Sequence, residues 1–393
     1  MTPKSMIPYG KQDINDDDIN AVIDVLKSDF ITQGPKVPEF EQAIAKQCQA
    51  NFAIATNSAT SALHIACLAL GVSKGDTLWT SPISFVASSN CALYCGAKVD
   101  FVDIDIATGN LSASALRTKL EVAKKTNTLP KAIIVVHLAG NPCDMQQINA
   151  LSEQYNFAVI EDASHAVGAC YKNSMVGSCL YSDITIFSFH PVKIITSAEG
   201  GMALTNCPEL ENKMRLFRSH GITSDEAQMT EKSHGPWYYQ QITLGFNYRM
   251  TELQAALGVS QSQRLTDFVE KRNELAKIYD RAFADTSIVC LTPNSDNYSA
   301  YHLYIVLLPT MSKALHKNVI SSLRDKNICA HVHYIPIHLQ PYYQKLGFKQ
   351  GDFPFAEEYY QRAISLPLYP KLTLDEQGYI IDSVKAELTT LAQ

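Results

Sequence analysis

The sequence predicts an α/β fold in which helices cover a mainly parallel central sheet. Between about residues 50 and 205, short apolar segments alternate with helical patterns, which is typical of parallel strands joined by crossovers. The chain has 393 residues, which is too long for one ordinary core and suits a large domain followed by a smaller one. We therefore expect a large domain over residues 1–265 and a smaller C-terminal α+β domain over residues 266–393.

Six short apolar segments predict the central sheet. Helical patterns lie between them, such as Thr60–Leu70, which Gly71 would end, and Phe85–Tyr94, which would end near Gly96. The predicted strands are Thr77–Thr80, Val99–Asp103, Ala132–His137, Ala158–Glu161, Ile184–Phe189 and Met202–Thr205.

A second pattern of strands predicts the smaller domain. A helical stretch around Thr251–Arg264 and a long polar helix at about Asp267–Phe283 precede the strand candidates Tyr301–Leu308 and His331–Tyr334. No internal repeat or low-complexity linker separates the two regions, so we expect them to pack closely.

The composition excludes several classes of function. Hydrophobic residues make up 46% of the chain and charged residues 18%, with a formal net charge of -6, so no basic excess is available to bind a nucleic acid backbone. Residues 1–10 lack a signal-peptide pattern, and no run of about 18 apolar residues could span a bilayer. We therefore expect a cytoplasmic protein that binds neither nucleic acid nor membrane.

The ten cysteines are scattered along the chain, which indicates buried thiols rather than a disulfide framework. The Cys91-x-x-x-Cys95 pair has no partner pair at the spacing of a zinc ribbon. His331 and His333 would share one face of a strand, but no carboxylate lies at a matching spacing. We expect no metal site.

Small and hydroxyl residues over Asn57–Leu63 follow the apolar run Phe52–Ala55 and open a helix. A helix N-terminus presents unpaired backbone N–H groups and the positive end of the helix dipole, so it suits an anion such as phosphate. Taken alone, the segment is also explained by an ordinary N-cap.

An acidic pair, Glu161-Asp162, ends a predicted buried strand and is followed by His165. Ligands of doubly wound sheets bind at the carboxyl ends of strands, so we expect Asp162 to face the ligand crevice. A buried carboxylate needs a partner, and a protonated pyridine nitrogen is suitable. A structural salt bridge explains Asp162 equally well, and His165 alone is explained by packing or capping.

Lys193 follows the end of another predicted buried strand, in a turn led by Pro191. A partly desolvated lysine has a lowered pKa and a free amine for Schiff-base chemistry. A single lysine usually lies on the surface, but Ser188 precedes this one by five residues and Asp162 lies one βα unit upstream. Together the three motifs offer a phosphate cradle, a carboxylate and an amine, which are the groups that pyridoxal phosphate (PLP) needs.

The ordered motifs of this chain resemble those of the DegT/DnrJ/StrS sugar aminotransferases, which have fold type I of the PLP enzymes, from about residue 7 to about residue 385. The matching segments are Asn57–Leu63, Ser81–Phe85, Glu161–Gly168, Phe187–Lys193, Glu199–Gly201 and Gly245–Arg249.

The resemblance implies a role for each matching residue. Lys193 would hold the cofactor covalently. Some family members have histidine at this position and act as dehydratases, so the presence of Lys193 favours transamination. An obligate homodimer with shared active sites is also implied. Asp162 would bind the pyridine nitrogen, Phe85 would stack on the ring, His165 would lie near the ring oxygen, Ser188 and the backbone of Ala59, Thr60 and Ser61 would hold the phosphate, and Asn247 would reach the phosphate of the partner's cofactor.

Within this family, the chain resembles the aminotransferases of pseudaminic acid biosynthesis in the segments Ile7–Gly10, Ser28–Pro35, His333–Pro336, Gln340–Tyr343 and Ile364–Leu368. That likeness implies a UDP-linked 4-keto-2-acetamido-2,6-dideoxy sugar as substrate and glutamate as amino donor. The residues implied to line the sugar-nucleotide site are Tyr9, Asp29, Phe30, Ile31, Thr32, His333, Tyr334, Ile335 and Pro336. Their aromatic and proline-rich segments are also explained as packing and turn elements.

Two alternatives stay open at the level of sequence. One is an aminotransferase for another nucleotide-linked keto-sugar, of the perosamine or bacillosamine type, because the cofactor motifs do not define the sugar pocket. The other is a binding protein that keeps the fold without turnover. Retention of Lys193, Asp162 and Ser188 together argues against the second alternative.

Overall fold

The computed structural model describes residues 3, 5–291, 293–309 and 312–391. No helix in these ranges is both long and apolar enough to cross a membrane. The helices are α1 Asp16–Leu26, α2 Lys36–Cys48, α3 Ala59–Ala69, α4 Ala87–Tyr94, α5 Ala113–Thr126, α6 Met145–Tyr155, α7 Pro208–Arg218, α8 Glu252–Ser262, α9 Leu265–Phe283, α10 Lys313–Asp325, α11 Pro341–Gln344, α12 Pro354–Arg362 and α13 Leu374–Leu391. The strands are β1 Phe52–Thr56, β2 Thr77–Thr80, β3 Lys98–Phe101, β4 Ala132–Val136, β5 Ala158–Asp162, β6 Cys170–Tyr171, β7 Ser174–Met175, β8 Ile184–Ser188, β9 Gly201–Thr205, β10 Ile222–Thr223, β11 Gln240–Gln241, β12 Val289–Cys290, β13 Asn297–Tyr298, β14 Tyr304–Leu307 and β15 Ala363–Leu366.

The central sheet has seven strands in the order β1-β9-β8-β5-β4-β2-β3. Strands β3, β2, β4, β5 and β8 are parallel, and β9 runs antiparallel to both of its neighbours. All six predicted strands are present, with ends shifted by at most two residues. The predicted α/β fold with a mainly parallel sheet is therefore confirmed.

The sequence of β4 shows why the sheet lies inside the protein. Its five residues, Ala-Ile-Ile-Val-Val, are all buried. Ile134 and Val136 belong to the core on one face of the sheet, whereas Ile133 and Val135 belong to the core on the other face. Because both faces are covered, the strand is apolar throughout instead of alternating with polar residues.

The C-terminal region packs directly on this sheet. Strands β12, β14 and β15 form a three-stranded antiparallel sheet, and Leu303 and Ile305 share a core with Ile134 of the large sheet. Helix α9 joins two cores, since Phe268 packs in one and Tyr279 in another. The predicted close packing is confirmed, while the boundary at residue 265 stays a prediction.

Two details of the predicted topology are wrong. The segment His331–Tyr334 is not a strand, because it pairs with β15 only through one bridge between His331 and Ser365, and the His333 side chain then binds the Ser365 hydroxyl. The connection from β5 to β8 contains no helix but the short hairpin of β6 and β7, so Asp162 does not lie one βα unit before Lys193. The two strands are nevertheless neighbours in the sheet.

We predict opposite effects for two helical glycines. A Cβ at Gly258 of α8 would lie 2.6 Å from the ring of the fully buried Phe40 of α2, whereas a Cβ at Gly378 of α13 would meet open space. Gly258→Ala should destabilise the protein by about 1–3 kcal/mol through overpacking. Gly378→Ala should stabilise it by up to about 1 kcal/mol, since alanine is the better helix former. The midpoint of thermal unfolding should fall for the first and rise for the second, and equal shifts would contradict this packing.

Candidate functional site

A cavity of about 450 Å³ lies at the carboxyl ends of β5 and β8. This is where open α/β sheets bind their ligands, because adjacent loops separate there and leave a crevice. Residues from distant parts of the chain form its wall. The predicted site residues that border it are Tyr9, Ala59, Thr60, Phe85, Asp162, His165, Ser188, Lys193, His333 and Tyr334.

Lys193 lies in the turn that follows β8. Pro191 begins the turn, and the Lys193 amide donates to the carbonyl of His190 at 2.9 Å. Burial removes water from the amine and lowers the pKa of Lys193 to about 8, although the negative charge of Asp162 opposes the shift. A useful fraction of the amine is therefore neutral, and hence nucleophilic, at moderately basic pH.

Asp162 is the last residue of β5 and is buried. Its Oδ2 accepts a hydrogen bond from the Ser88 hydroxyl at 2.6 Å, and its Oδ1 accepts one from the Ser164 amide at 3.2 Å. Within the described residues it forms no ion pair. The carboxylate thus has hydrogen bonds but no neutralising cation, so a cationic ligand group would complete its surroundings.

The N-terminus of α3 borders the cavity with free backbone donors. Ser58 caps the helix, and its Oγ accepts the Ser61 amide at 3.1 Å. The amides of Ala59 and Thr60 have no acceptor among the described residues, and Ser188 adds a hydroxyl to the same cavity. Free amides and the helix dipole together suit a phosphate. Because Ser61 already donates its amide to Ser58, its predicted phosphate role stays a prediction.

Glycine at position 201 lets β9 approach this cradle. A Cβ on Gly201 would lie 2.4 Å from the Ala59 nitrogen and 2.5 Å from the carbonyl carbon of Ser58, closer than any side chain can come to backbone. A Cβ on Gly200 would lie 2.2 Å from Ser197 Oγ. Gly201 is therefore explained by the close approach of two backbones, and Gly200 by close packing against side chains.

His165 and Tyr334 form a hydrogen-bonded pair on the cavity wall. His165 Nδ1 accepts the amide of Ala139 at 3.3 Å, so the neutral ring carries its proton on Nε2 and donates it to the Tyr334 hydroxyl at 3.1 Å. Burial, followed by the charges of Lys193 and His333, holds the pKa of His165 well below its usual range. The Tyr334 hydroxyl keeps its own proton to donate to a ligand.

His302 also borders the cavity, and the sequence analysis did not find it. Its ring centre lies 4.4 Å from that of His165, and its Nδ1 is buried without a hydrogen-bond partner among the described residues. Burial is the main cause that keeps the pKa of His302 well below its usual range. The buried guanidinium of Arg272 donates to the carbonyls of Tyr301 and His302, both at 3.2 Å, and so fixes this turn.

His333 and Tyr9 form a second aromatic group on the wall. His333 Nδ1 bonds to the Ser365 hydroxyl at 2.8 Å, and the Tyr9 and His333 ring centres are 5.1 Å apart. Burial is the largest cause that lowers the pKa of His333 to about 3. The predicted residues Tyr9, His333 and Tyr334 are thus brought together by the fold, and the imidazole between them is neutral.

The remaining predicted residues lie outside this cavity. Phe30 and Ile31 are each 56% exposed, Thr32 pairs with Thr251, and Asn247 is exposed and pairs with Ser219. These residues do not border the cavity of a single chain, so their roles stay predictions. The roles of the other predicted residues outside the cavity also stay predictions. The full set is Ser61, Asp29, Phe30, Ile31, Thr32, Asn247, Ile335 and Pro336.

The sequence analysis assigned no role to several other residues of the wall. All of them except His302 lie within the sequence motifs described above, although no role was predicted for them. The position of His302 depends on a left-handed Tyr301, with φ 44°, which no local pattern indicates. The residues of this group are Ser58, Ser84, Ser164, His190, Glu199 and His302.

The residues present fit PLP. Asp162 is buried without a cation, which a protonated ring nitrogen would supply. The free amides of Ala59 and Thr60 offer donors for the phosphate, and Lys193 offers a desolvated amine for the aldehyde. These groups border one cavity, so a single molecule can meet them all.

Residues 12–385 match the DegT/DnrJ/EryC1/StrS aminotransferase family. The chain is 39% identical over 384 residues to the spore coat polysaccharide biosynthesis protein SpsC of Bacillus subtilis, and 37% identical over 380 residues to the UDP-4-amino-4,6-dideoxy-N-acetyl-beta-L-altrosamine transaminase of Campylobacter jejuni, with 96% of each partner covered. It is similar in structure to Helicobacter pylori PseC, an aminotransferase involved in the biosynthesis of pseudoaminic acid, with a TM-score of 0.89, 34% identity, and coverage of 98% of this chain and 100% of that one.

We predict that Gly201→Ala weakens PLP binding by at least roughly tenfold, because the new methyl group displaces the first turn of α3. The dissociation constant should be measured by titrating apo-protein with PLP. Gly378→Ala, whose methyl group meets open space, is the matched control. An unchanged constant for Gly201→Ala would show that the close approach does not shape the phosphate cradle.

The lowered pKa of Lys193 predicts how cofactor capture depends on pH. Only the neutral amine attacks an aldehyde, so the rate at which apo-protein captures PLP should rise with pH and reach half of its maximum near pH 8. An ordinary lysine would need about pH 10.4. Stopped-flow absorbance over pH 6.5–10 measures the rate, with free Nα-acetyl-lysine as reference. A midpoint that matches the reference would contradict the desolvation of Lys193.

Proposed function

Because this chain belongs to the DegT/DnrJ/EryC1/StrS aminotransferase family, we propose that it transfers the amino group of glutamate to the 4-keto carbon of a UDP-linked 2-acetamido-2,6-dideoxy-hexos-4-ulose. The product would be UDP-4-amino-4,6-dideoxy-N-acetyl-altrosamine, for pseudaminic acid biosynthesis. The observation that carries the proposal is the single cavity in which the desolvated Lys193 faces the buried Asp162. Membership of the family confirms the expected fold, the aminotransferase class and the use of PLP.

Bound PLP would supply an aldehyde that accepts the donor's amino group and a ring that withdraws the electrons left by deprotonation. Lys193 Nζ takes the proton from the α-carbon of glutamate, and in the second half of the reaction it delivers a proton to C4 of the sugar. The lowered pKa of Lys193 makes both transfers feasible near neutral pH, since the amine is neither permanently charged nor weakly basic.

Asp162 has a different task in the same cycle. Its buried negative charge stabilises a protonated ring nitrogen, because their attraction is little screened by water in this cavity. Ser188 and the amides of Ala59 and Thr60 hold the phosphate, which fixes the cofactor against rotation. Phe85, in the turn before α4 and 61% exposed, is proposed to cover the ring.

Tyr9, His333 and Tyr334 are proposed to face the sugar. Their ring nitrogens and hydroxyls are uncharged, which suits the hydroxyl and acetamido groups of a sugar. The similarity to the Campylobacter jejuni transaminase and to PseC supports the choice of a 4-keto sugar of this class. The similarity to SpsC favours a second candidate, another nucleotide-linked keto-sugar, with the same chemistry.

We also propose a homodimer in which Asn247 reaches the cofactor phosphate of the partner. Asn247 is exposed and lies outside the cavity of its own chain. The same region exposes large apolar side chains, with Trp237 and Leu244 each 75% exposed and Tyr239 59% exposed. Such a patch is typical of a protein–protein interface. Light scattering of the purified protein measures its mass, and a monomer would contradict the proposal.

Absorbance spectroscopy tests the function directly. Glutamate should convert the bound cofactor from its aldehyde form to its amine form, and the UDP-linked 4-keto sugar should convert it back. Conversion by glutamate without return by this sugar would keep the aminotransferase and reject the substrate, after which other nucleotide-linked keto-sugars should be tried. A protein that shows neither change would contradict turnover.

Lys193→Ala should bind PLP but lose turnover by at least roughly a hundredfold, because no other amine is in place to move the proton. Lys125→Ala, which removes an exposed lysine at the end of α5, is the control and should keep full activity. The rate of amino-sugar formation should be measured for both variants and for the wild type. Comparable rates for both variants would contradict the proposed role of Lys193 in proton transfer.

A further inference from the structure

Two serines form a hydrogen-bonded chain behind Asp162. Ser88 Oγ lies 2.6 Å from Asp162 Oδ2, and Ser84 Oγ lies 2.7 Å from Ser88 Oγ. All three side chains are buried, with residue exposures of 3% for Ser84, 0% for Ser88 and 6% for Asp162. Neither serine has a role in the function described so far, although Ser84 stands in one of the sequence motifs.

The chemistry of the groups fixes the direction of this chain. An ionised carboxylate only accepts hydrogen bonds, so Ser88 must donate its one hydroxyl proton to Asp162. The alternative acceptor of that proton, the carbonyl of Phe85, is farther away at 3.3 Å. Ser84 must then donate to Ser88 Oγ. Hydrogen bonds aligned in this way strengthen one another in a buried site.

The two oxygens of Asp162 consequently differ. Oδ2 holds a short bond from a side chain on the helix α4, whereas Oδ1 accepts only the Ser164 amide at the longer distance of 3.2 Å. Both oxygens can accept a further hydrogen bond, but Oδ1, whose one bond is the longer, is the less engaged of the two. The carboxylate cannot exchange its oxygens by rotation without breaking the short bond to Ser88.

We propose that Ser88, supported by Ser84, is a positioning residue that orients the Asp162 carboxylate and presents its Oδ1 to the ring nitrogen of the cofactor. The Phe85 carbonyl also accepts the Ser88 amide at 3.3 Å. One turn thus holds Phe85, which is proposed to cover the cofactor ring, and Ser88, which is proposed to orient Asp162. The inference rests on the proposed role of Asp162 but not on the identity of the sugar.

The chain offers a matched control for this proposal. Ser89 is the next residue of α4 and is also fully buried, but its hydroxyl bonds to Tyr343 at 2.5 Å and does not touch Asp162. Ser88→Ala and Ser89→Ala each remove one buried hydroxyl from the same helix turn. A general disturbance of α4 would affect both variants, whereas loss of positioning would affect only Ser88→Ala.

The test compares two ligands on apo-protein by equilibrium titration. One is PLP, and the other is 1-deaza-PLP, in which carbon replaces the ring nitrogen. Ser88→Ala should weaken PLP binding by roughly tenfold to a hundredfold, because a carboxylate that is no longer held in one orientation must be ordered when the ring nitrogen binds. Ser84→Ala should weaken it by roughly threefold, and Ser89→Ala should leave it unchanged. Binding of 1-deaza-PLP, which has no ring nitrogen for Asp162, should be equal in all three variants and the wild type.

Denaturant unfolding of the apo-proteins accompanies the titrations, and comparable stabilities of Ser88→Ala and Ser89→Ala show that both fold. If Ser88→Ala weakens both ligands equally, or leaves PLP binding unchanged, the positioning role is overturned. Asp162→Ala distinguishes a failure of the positioning role of Ser88 from a failure of the proposed function. Unchanged PLP binding in Asp162→Ala would overturn the role of Asp162 itself, whereas weakened binding there with an unaffected Ser88→Ala would overturn only the inference.

Discussion

The site depends on a carboxylate that is buried before any cation is present to neutralise it. Removing a charge from water is costly, and the fold meets this cost with hydrogen bonds to Asp162 from Ser88 and Ser164. These bonds satisfy the carboxylate oxygens without cancelling the charge of Asp162. The remaining electric field is available to a ligand, and it also opposes the fall in the pKa of Lys193, so the carboxylate influences both ends of the proposed chemistry.

The neutral histidines around the cavity complete this arrangement. Burial lowers the pKa of His165, His302 and His333, so these rings are too weakly basic to compete with Lys193 for a proton near neutral pH. They serve instead as uncharged hydrogen-bond donors and acceptors on the cavity wall. Protons are thereby directed to the Lys193 amine, which can return them to carbon, and none of the three histidines adds a positive charge to the cavity.

The sequence predicted those features that local patterns determine. Buried strands are apolar along their whole length, so the six strands of the parallel region and the positions of Asp162 and Lys193 at strand ends were found. The strand at His331–Tyr334 was wrong, because a side-chain bond from His333 to Ser365 replaces backbone pairing there. His302 and Ser88 were missed because their importance arises from contacts between segments far apart in the chain, which alternation and spacing do not encode.

The cavity draws its two halves from different parts of the chain. Those groups bordering the cavity that fit PLP come from the stretch between Ser58 and Gly201, within the seven-stranded sheet and its loops, whereas Tyr9 precedes this stretch and His333 and Tyr334 follow it. If Tyr9, His333 and Tyr334 face the sugar as proposed, substitutions there would alter the sugar that is accepted and leave the groups that fit PLP intact. Mutation and selection could then change the residues that face the sugar and conserve those that bind the cofactor. Related enzymes would act on new sugars with the same reaction mechanism.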